Sequence, residues 1–170
     1  IVGRGMMNDT CMYVHIVNEL DVPIFAMGLQ DVIISASPDG ILVSDKDASG
    51  GIKPLVDSFE QQVMFAEKSW GDFKVMDVEE SSMTIKITLN EGQRMNYHSH
   101  KHRDEVWVVI SGEGKTVVDG MEQKVKAGDV ITMSSGCRHT VMADTELKLI
   151  EVQLGKDINV HDKQKFELEY

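Results

Sequence analysis

Four of the six histidines in this 170-residue chain lie where they could bind a metal ion. His98, His100 and His102 alternate along the chain, so on an extended strand all three would point to the same side. Glu105 follows at the start of an apolar run, and His139 comes after a glycine turn. Imidazoles and one carboxylate that converge from neighbouring strands form a site suited to Zn²⁺, Fe²⁺, Mn²⁺, Co²⁺ or Ni²⁺.

An alternating run of histidines can also be a chance surface cluster that holds no ligand. The spacing of glycines argues against chance here. Gly92 and Gly112 enclose the first group of candidate ligands, and Gly128 and Gly136 precede His139. Each glycine falls at a predicted turn, and each candidate ligand falls at the edge of a predicted strand. We therefore favour a metal site over a surface cluster.

The elements that would position these ligands are short strands, about eight of them after residue 67. Ser82–Leu89 alternates between apolar and polar residues, as a half-buried strand does. Asp119 and Gly120 form a two-residue hairpin turn between the apolar runs 115–118 and 123–125. Short strands with Gly-rich turns and little helix predict a sandwich or a small barrel.

The first part of the chain has a different pattern. Its apolar runs, Val14–Val17, Val22–Met27, Val32–Ile34 and Ile41–Val43, are short, nearly evenly spaced and separated by turn residues. This pattern predicts short strands and is compatible with a few coils of a β-solenoid. Residues 52–65 predict one short helix with Pro54 at its start. We expect two parts, a β-rich segment over residues 1–66 and an all-β domain over residues 67–170.

The charge balance limits the possible partners. Lys and Arg number 17 against 28 Asp and Glu, which gives a net charge of −11. Such an acidic chain is expected to bind nucleic acids and anionic membranes poorly. A local cluster of positive groups or a metal could still bind a small anion. No apolar run approaches the roughly 20 residues that span a bilayer. The start shows no signal-peptide layout, so we expect a cytoplasmic protein, and it lacks an initiator Met, which suggests a fragment.

The two glycine-spaced patterns resemble the paired motifs of the cupin superfamily. The first, GQRMNYHSHKHRDEVWVVISG (Gly92–Gly112), matches at every defining position. The second, GDVITMSSGCRHTVMA (Gly128–Ala143), keeps both glycines and the histidine but departs from the family pattern at Ser134 and Ala143. The resemblance implies an all-β double-stranded β-helix, or jelly-roll barrel, that often dimerises by pairing strands. The metal ligands that it implies are His98, His100, Glu105 and His139.

Three further stretches resemble bacterial type II mannose-6-phosphate isomerases: Lys68–Glu80, His102–Gly114 and Ile150–Gly155. In those proteins the cupin follows a mannose-1-phosphate guanylyltransferase domain and a linker, which is similar to Gly28–Val56. The glycine-rich nucleotide loop of the guanylyltransferases has no counterpart here, so nucleotidyl transfer by this chain alone is not expected. The resemblance implies the C-terminal part of a bacterial enzyme of GDP-mannose biosynthesis.

This resemblance implies a metal-dependent isomerase that interconverts mannose 6-phosphate and fructose 6-phosphate through an enediol. Zn²⁺ is the first expectation, with Co²⁺, Mn²⁺, Ni²⁺ or Fe²⁺ as alternatives. His102 and Glu151 are the candidate bases, and the resemblance implies substrate handling by Arg103. Lys101 and Arg138 flank the expected mouth and are candidate ligands of an anionic sugar phosphate. A homodimer is expected.

Two other functions stay open at the level of the sequence. The cupin could bind a sugar phosphate or metal without turnover and hold an oligomer together. It could also be an iron-dependent oxygenase, because the same four ligands would hold Fe²⁺ equally well. Only the flanking resemblance separates the isomerase from the oxygenase.

Overall fold

Alternating apolar residues and closely spaced turns make this chain almost entirely β, as expected. The computed structural model describes residues 1–59 and 62–168. It divides into two units, Ile1–Met64 and Phe65–Tyr170. The division lies beside the boundary expected at residue 66. A linker role for the first unit stays a prediction.

The first unit contains five short strands: β1 (Gly5–Met7), β2 (His15–Asn18), β3 (Ile24–Ala26), β4 (Val32–Ser37) and β5 (Gly40–Asp45). β1 pairs with β3 and β2 with β4, both in parallel, while β4 and β5 form an antiparallel hairpin. Parallel pairing of a strand with the second strand after it along the chain is the arrangement that a solenoid-like path produces. Ile16, Ala26 and Ile34 form the buried core of this unit.

The helix predicted over residues 52–65 is much shorter in the structure. A 3₁₀ turn at Ser49–Gly51 is followed by one α-helix, α1 (Lys53–Asp57). Apolar side chains of the predicted helix are not buried: Leu55 is 71% exposed and Phe59 is 74% exposed. A short helix without a buried face lacks the packing that stabilises most protein helices. Residues 60 and 61 of the predicted helix lie outside the described residues, and residue 65 already begins a strand. No described helix is long and apolar enough to cross a bilayer.

The second unit contains two antiparallel sheets. Its strands are β6 (Phe65–Lys68), β7 (Gly71–Val78), β8 (Ser82–Leu89), β9 (His98–Ser99), β10 (Asp104–Ser111), β11 (Glu113–Val118), β12 (Met121–Lys126), β13 (Val130–Met133), β14 (His139–Ala143), β15 (Leu147–Leu154) and β16 (Gln164–Lys165). The first sheet has the order β13-β10-β15-β8-β7-β6, and the second has the order β12-β11-β14-β9-β16.

Local patterns in this unit match their sequence-based predictions. Every second residue of β8, from Met83 to Leu89, is buried. The β11–β12 hairpin turns at Asp119 and Gly120, whose φ angles of 47° and 81° suit a type I′ turn. Trp107 on β10 is fully buried, and its ring lies 5.3 Å from that of His139 on β14. Side chains of the two sheets therefore meet in one interior.

Candidate metal centre

Three neighbouring segments bring the four candidate ligands together. His98 on β9 lies directly opposite His139 on β14, His100 follows two residues after His98, and Glu105 projects from β10. All four side chains are buried, and their ligand atoms lie within 4.8 Å of one another. The structure thus places these residues as the sequence predicted, although their binding of a metal stays a proposal.

The three histidines are oriented by the backbone. Each directs Nδ1 to a main-chain carbonyl oxygen: His98 to Asn96 (2.6 Å), His139 to Cys137 (3.0 Å) and His100 to Asp162. A ring that donates its Nδ1 proton in this way leaves Nε2 unprotonated, as an acceptor. Metal-bound histidines are usually held by such a hydrogen bond from the second nitrogen.

A metal ion would satisfy two buried atoms that the protein leaves without hydrogen bonds. His139 Nε2 and Glu105 Oε2 lie 3.0 Å apart, and neither has a hydrogen-bond partner. With the imidazole proton on Nδ1, both atoms are acceptors, so their lone pairs oppose each other. A shared cation removes that opposition. The donor set of three imidazoles and one carboxylate suits a divalent transition metal.

The electrostatic environment keeps the ligands in their metal-binding protonation states. Burial lowers the pKa of His98 to about 3, aided by the charge of Lys163, so this ring is neutral at physiological pH. Glu105 accepts a hydrogen bond from the Arg103 guanidinium (2.9 Å), and a positive charge in contact with a carboxylate favours its ionised form. A neutral imidazole and an ionised carboxylate are the forms that bind a metal.

Arg103 belongs to the same group. Its Nε donates to Glu105 Oε1 (2.9 Å), and one terminal nitrogen donates to His100 Nε2 (3.1 Å). Among the described residues Arg103 pairs with Glu105 and not with the neighbouring Asp104, whose carboxylate accepts from the backbone N–H of Ser135. A positive charge therefore lies directly beside the candidate ligands.

His102 does not share the face of His98 and His100, so that expectation is wrong. The extended segment β9 ends at Ser99, and the alternation of side chains ends with it. The backbone N–H of His102 donates to Asp162 Oδ2 (2.9 Å), and the side chain is exposed. His102 consequently lies outside the group of ligands.

Glu151 lies in the interior, where its carboxylate is held by two donors. Trp107 Nε1 donates to one carboxylate oxygen (2.8 Å) and Gln153 Nε2 to the other (2.5 Å). On the paired strands β10 and β15, Glu105 lies opposite Gln153 and Trp107 lies opposite Glu151. Burial raises the pKa of Glu151, and the charge of Glu105 raises it further. The face of β15 that carries Glu151 and Gln153 is therefore an inner face.

The family described as mannose-6-phosphate isomerase C-terminal matches residues 57–168, more than half of the chain. The chain belongs to this family. A mannose-1-phosphate guanylyltransferase of Salmonella typhimurium is 26% identical over 85% of this chain and 32% of its own length. Mannose-1-phosphate guanylyltransferase 2 of Escherichia coli O157:H7 is 28% identical over 85% of this chain and 33% of its own length. The chain thus spans about a third of these curated relatives.

The cupin fold expected for this member of the family is also confirmed. An RmlC-like cupin from Shewanella frigidimarina superposes with a TM-score of 0.50 at 23% identity. The superposition covers 58% of this chain and 88% of the other. At this identity the likeness supports the double-stranded β-helix and says nothing of substrate.

The two cations expected to flank the mouth have different surroundings. Lys101 is exposed and lines a cleft beside the loop that carries His100. The Arg138 guanidinium instead lies over the ring of Phe166, 3.9 Å from its centre. Substrate binding by either residue stays a prediction.

The C-terminal tail of this family member is a wall of the site that the sequence analysis missed. Asp162 accepts from His100 through its carbonyl and from the backbone of Lys101 and His102 through its carboxylate. β16 then pairs with β9, and Lys163 lies between these two contacts. No local pattern in residues 162–167 signals that the tail pairs with the strand that carries His98.

Proposed function

We propose that the unit Phe65–Tyr170 is a metal-dependent isomerase that interconverts mannose 6-phosphate and fructose 6-phosphate. The observation that carries this proposal is the buried group His98, His100, Glu105 and His139, with ligand atoms within 4.8 Å of one another. Membership of the mannose-6-phosphate isomerase C-terminal family supports the choice of a phosphosugar over an oxygenase substrate.

The four side chains of this group would hold one divalent ion, for which Zn²⁺ is our first choice. Three imidazoles and one carboxylate match the ligands that Zn²⁺ accepts, and Co²⁺, Mn²⁺, Ni²⁺ and Fe²⁺ accept the same set. When bound, such an ion supplies a Lewis acid that polarises the oxygens of the substrate.

Glu151 is our candidate for the proton transfer between C1 and C2. Its raised pKa makes its ionised form a stronger base than an exposed carboxylate. The hydrogen bonds from Trp107 and Gln153 fix the direction of the carboxylate, which limits the motion needed to reach a carbon-bound proton. The exposed His102 lacks such an arrangement, so we favour Glu151 over it.

Arg103 is our candidate for binding substrate oxygens. Its guanidinium carries five donors in a planar fork, of which three are directed to Glu105, His100 and the carbonyl of Asn159. A cation at this position also stabilises negative charge as it develops on the substrate. Loss of Arg103 should therefore affect turnover as well as binding.

The test is an isomerase assay on protein of measured metal content. Mannose 6-phosphate is supplied and fructose 6-phosphate is followed, with His100→Ala, Arg103→Ala and Glu151→Gln beside the unaltered protein. His15→Ala is the matched control, because His15 is exposed, belongs to the first unit and is not one of the candidate ligands. We expect metal-dependent turnover that the first three variants lose and the control keeps. Bound metal without turnover, even with Zn²⁺, Co²⁺ or Mn²⁺ added, would favour a binding or assembly module.

We also propose that the chain forms a homodimer. β6 and β13 are the edge strands of the six-stranded sheet, and an edge strand offers unpaired backbone groups to a second copy. Light scattering coupled to size exclusion measures the mass directly, and a monomeric mass across the micromolar range would contradict the proposal.

A further inference from the structure

The ligand group contains two pairs of facing acceptor atoms, and Glu105 contributes one oxygen to each pair. Glu105 Oε1 lies 3.1 Å from His100 Nε2, and Glu105 Oε2 lies 3.0 Å from His139 Nε2. Both rings direct Nδ1 to a backbone carbonyl oxygen, so both Nε2 atoms are acceptors. In each pair, therefore, two lone pairs oppose each other inside the buried group.

Arg103 bridges the first of these pairs. Its Nε donates to Glu105 Oε1 (2.9 Å), and one terminal nitrogen donates to His100 Nε2 (3.1 Å). The other terminal nitrogen donates to the carbonyl oxygen of Asn159 (3.4 Å), so three partners fix the plane of the guanidinium. The Arg103 side chain is only 10% exposed. The pair of Glu105 Oε2 and His139 Nε2 has no such donor among residues 1–59 and 62–168.

One of these contacts of Arg103 conflicts with metal binding. A neutral imidazole that carries its proton on Nδ1 has a single lone pair on Nε2. That lone pair of His100 accepts from Arg103 or coordinates a cation, but it does not do both. A carboxylate oxygen offers two lone pairs, so Glu105 Oε1 can keep its hydrogen bond from Arg103 and still bind a metal. The hydrogen bond to His100 is therefore the one that must break.

We propose that Arg103 competes with the metal ion for His100 Nε2, and that metal binding frees this guanidinium N–H for an oxygen of the substrate. The hydrogen bond from Nε to Glu105 keeps the guanidinium beside the ligand group after that release. The second half of this inference rests on the isomerase function proposed above, whereas the competition for His100 does not. Arg103 is thus a positioning residue for the metal as well as a candidate for substrate binding.

The competition reverses the direction in which loss of a neighbouring residue changes metal affinity. Loss of an outer residue that supports a ligand weakens metal binding, typically by about 10- to 100-fold. A residue that occupies the lone pair of a ligand, and whose positive charge repels the cation, acts in the opposite sense. Arg103→Met removes the charge and all the donors. We expect this variant to bind Zn²⁺ about 10- to 100-fold tighter, the strength of one hydrogen bond that involves a charged group.

The experiment measures the Zn²⁺ affinity of the full chain by competition with a chromophoric chelator. Arg103→Met is compared with the unaltered chain and with Arg4→Met, because Arg4 belongs to the first unit, where it donates to the carbonyl oxygen of Asp21. In the unaltered chain, nuclear magnetic resonance follows the guanidinium N–H signals of Arg103 as Zn²⁺ is added, which requires no substitution. Turnover of mannose 6-phosphate is measured in all three proteins.

We expect tighter Zn²⁺ binding in Arg103→Met alone. In the unaltered chain, the terminal N–H signals of Arg103 should exchange faster with water once Zn²⁺ is bound, while the Nε–H signal stays protected by Glu105. Equal or weaker Zn²⁺ binding in folded Arg103→Met, or terminal N–H signals that Zn²⁺ does not change, would overturn the competition, and turnover by the unaltered chain would still leave the isomerase in place. Tighter binding and released N–H groups without turnover in the unaltered chain would support the competition and remove the isomerase.

Discussion

At the scale of single residues, the metal site depends on each ligand being buried and pre-oriented. His139 contributes an Nε2 atom that has no other partner, so its loss removes a ligand that water cannot replace with the same geometry. We predict that His139→Ala weakens Zn²⁺ binding by more than about 100-fold, above the 10- to 100-fold typical of losing an outer hydrogen bond. Competition with a chromophoric chelator measures the affinity. The exposed His15→Ala should keep it, and equal losses in both variants would contradict the site.

The second residue-scale prediction concerns Glu151 in the metal-free protein. Its pKa is raised by burial and by Glu105, so the folded protein holds this proton more tightly than the unfolded chain does. As pH rises above the ordinary carboxyl value of 4.5, the unfolded chain ionises first and stability falls until the folded pKa is passed. Below pH 4.5 the carboxyl is protonated in both the folded and the unfolded state, so the raised pKa no longer lowers the stability.

Glu151→Gln removes this pH-dependent loss of stability, because an amide side chain stays neutral at every pH in the range. We therefore predict that, in the presence of chelator, the free energy of unfolding of Glu151→Gln increases relative to that of the unaltered chain as the pH is raised from 4 to 8. Urea unfolding at a series of pH values gives the free energy of unfolding for both proteins. A difference between them that does not vary with pH would show that the folded pKa is not raised.

At the scale of elements, the C-terminal tail holds the loop that carries His100. Asp162 joins them through its carbonyl and through both carboxylate oxygens. We predict that Asp162→Ala weakens metal binding about 10-fold or more, because the Lys101–His102 backbone loses its carboxylate acceptors and the tail whose carbonyl orients His100 is held less firmly. Asp157→Ala is the matched control, since Asp157 contacts only the tail itself through Asn159. Unchanged metal affinity in Asp162→Ala would show that the tail does not hold the loop that carries His100.

At the scale of the whole molecule, the two units have separate roles. The core of Ile1–Met64 is built on Ile16, Ala26 and Ile34, whereas all four candidate ligands belong to Phe65–Tyr170. We predict that Ile16→Ala destabilises the first unit by about 2–4 kcal/mol and leaves metal affinity unchanged. Calorimetric unfolding and metal titration of the full chain measure the two effects. A parallel loss of metal binding would show that the site depends on the first unit.

The resemblance to the cupin motifs singled out the four candidate ligands. The sequence by itself determined the all-β class and the hairpin at Asp119 and Gly120. These features depend on local spacing: alternation defines a strand, a two-residue turn defines a hairpin, and glycines mark where strands end. The sequence-based prediction of a helix over residues 52–65 was wrong in length, because periodicity alone does not show whether an apolar stripe packs against another element. In the structure that stripe is exposed and the helix ends at Asp57.

Only the tertiary structure decided which side chains face the interior around the ligands. Alternation placed His102 with His98, but the strand ends before the third histidine. Glu151 and Gln153 could have faced solvent, and pairing of β15 with β10 turned them inward. Asp162 reaches the site because β16 pairs with β9, more than sixty residues away along the chain. Such contacts depend on long-range pairing, which the spacing of neighbouring residues does not encode.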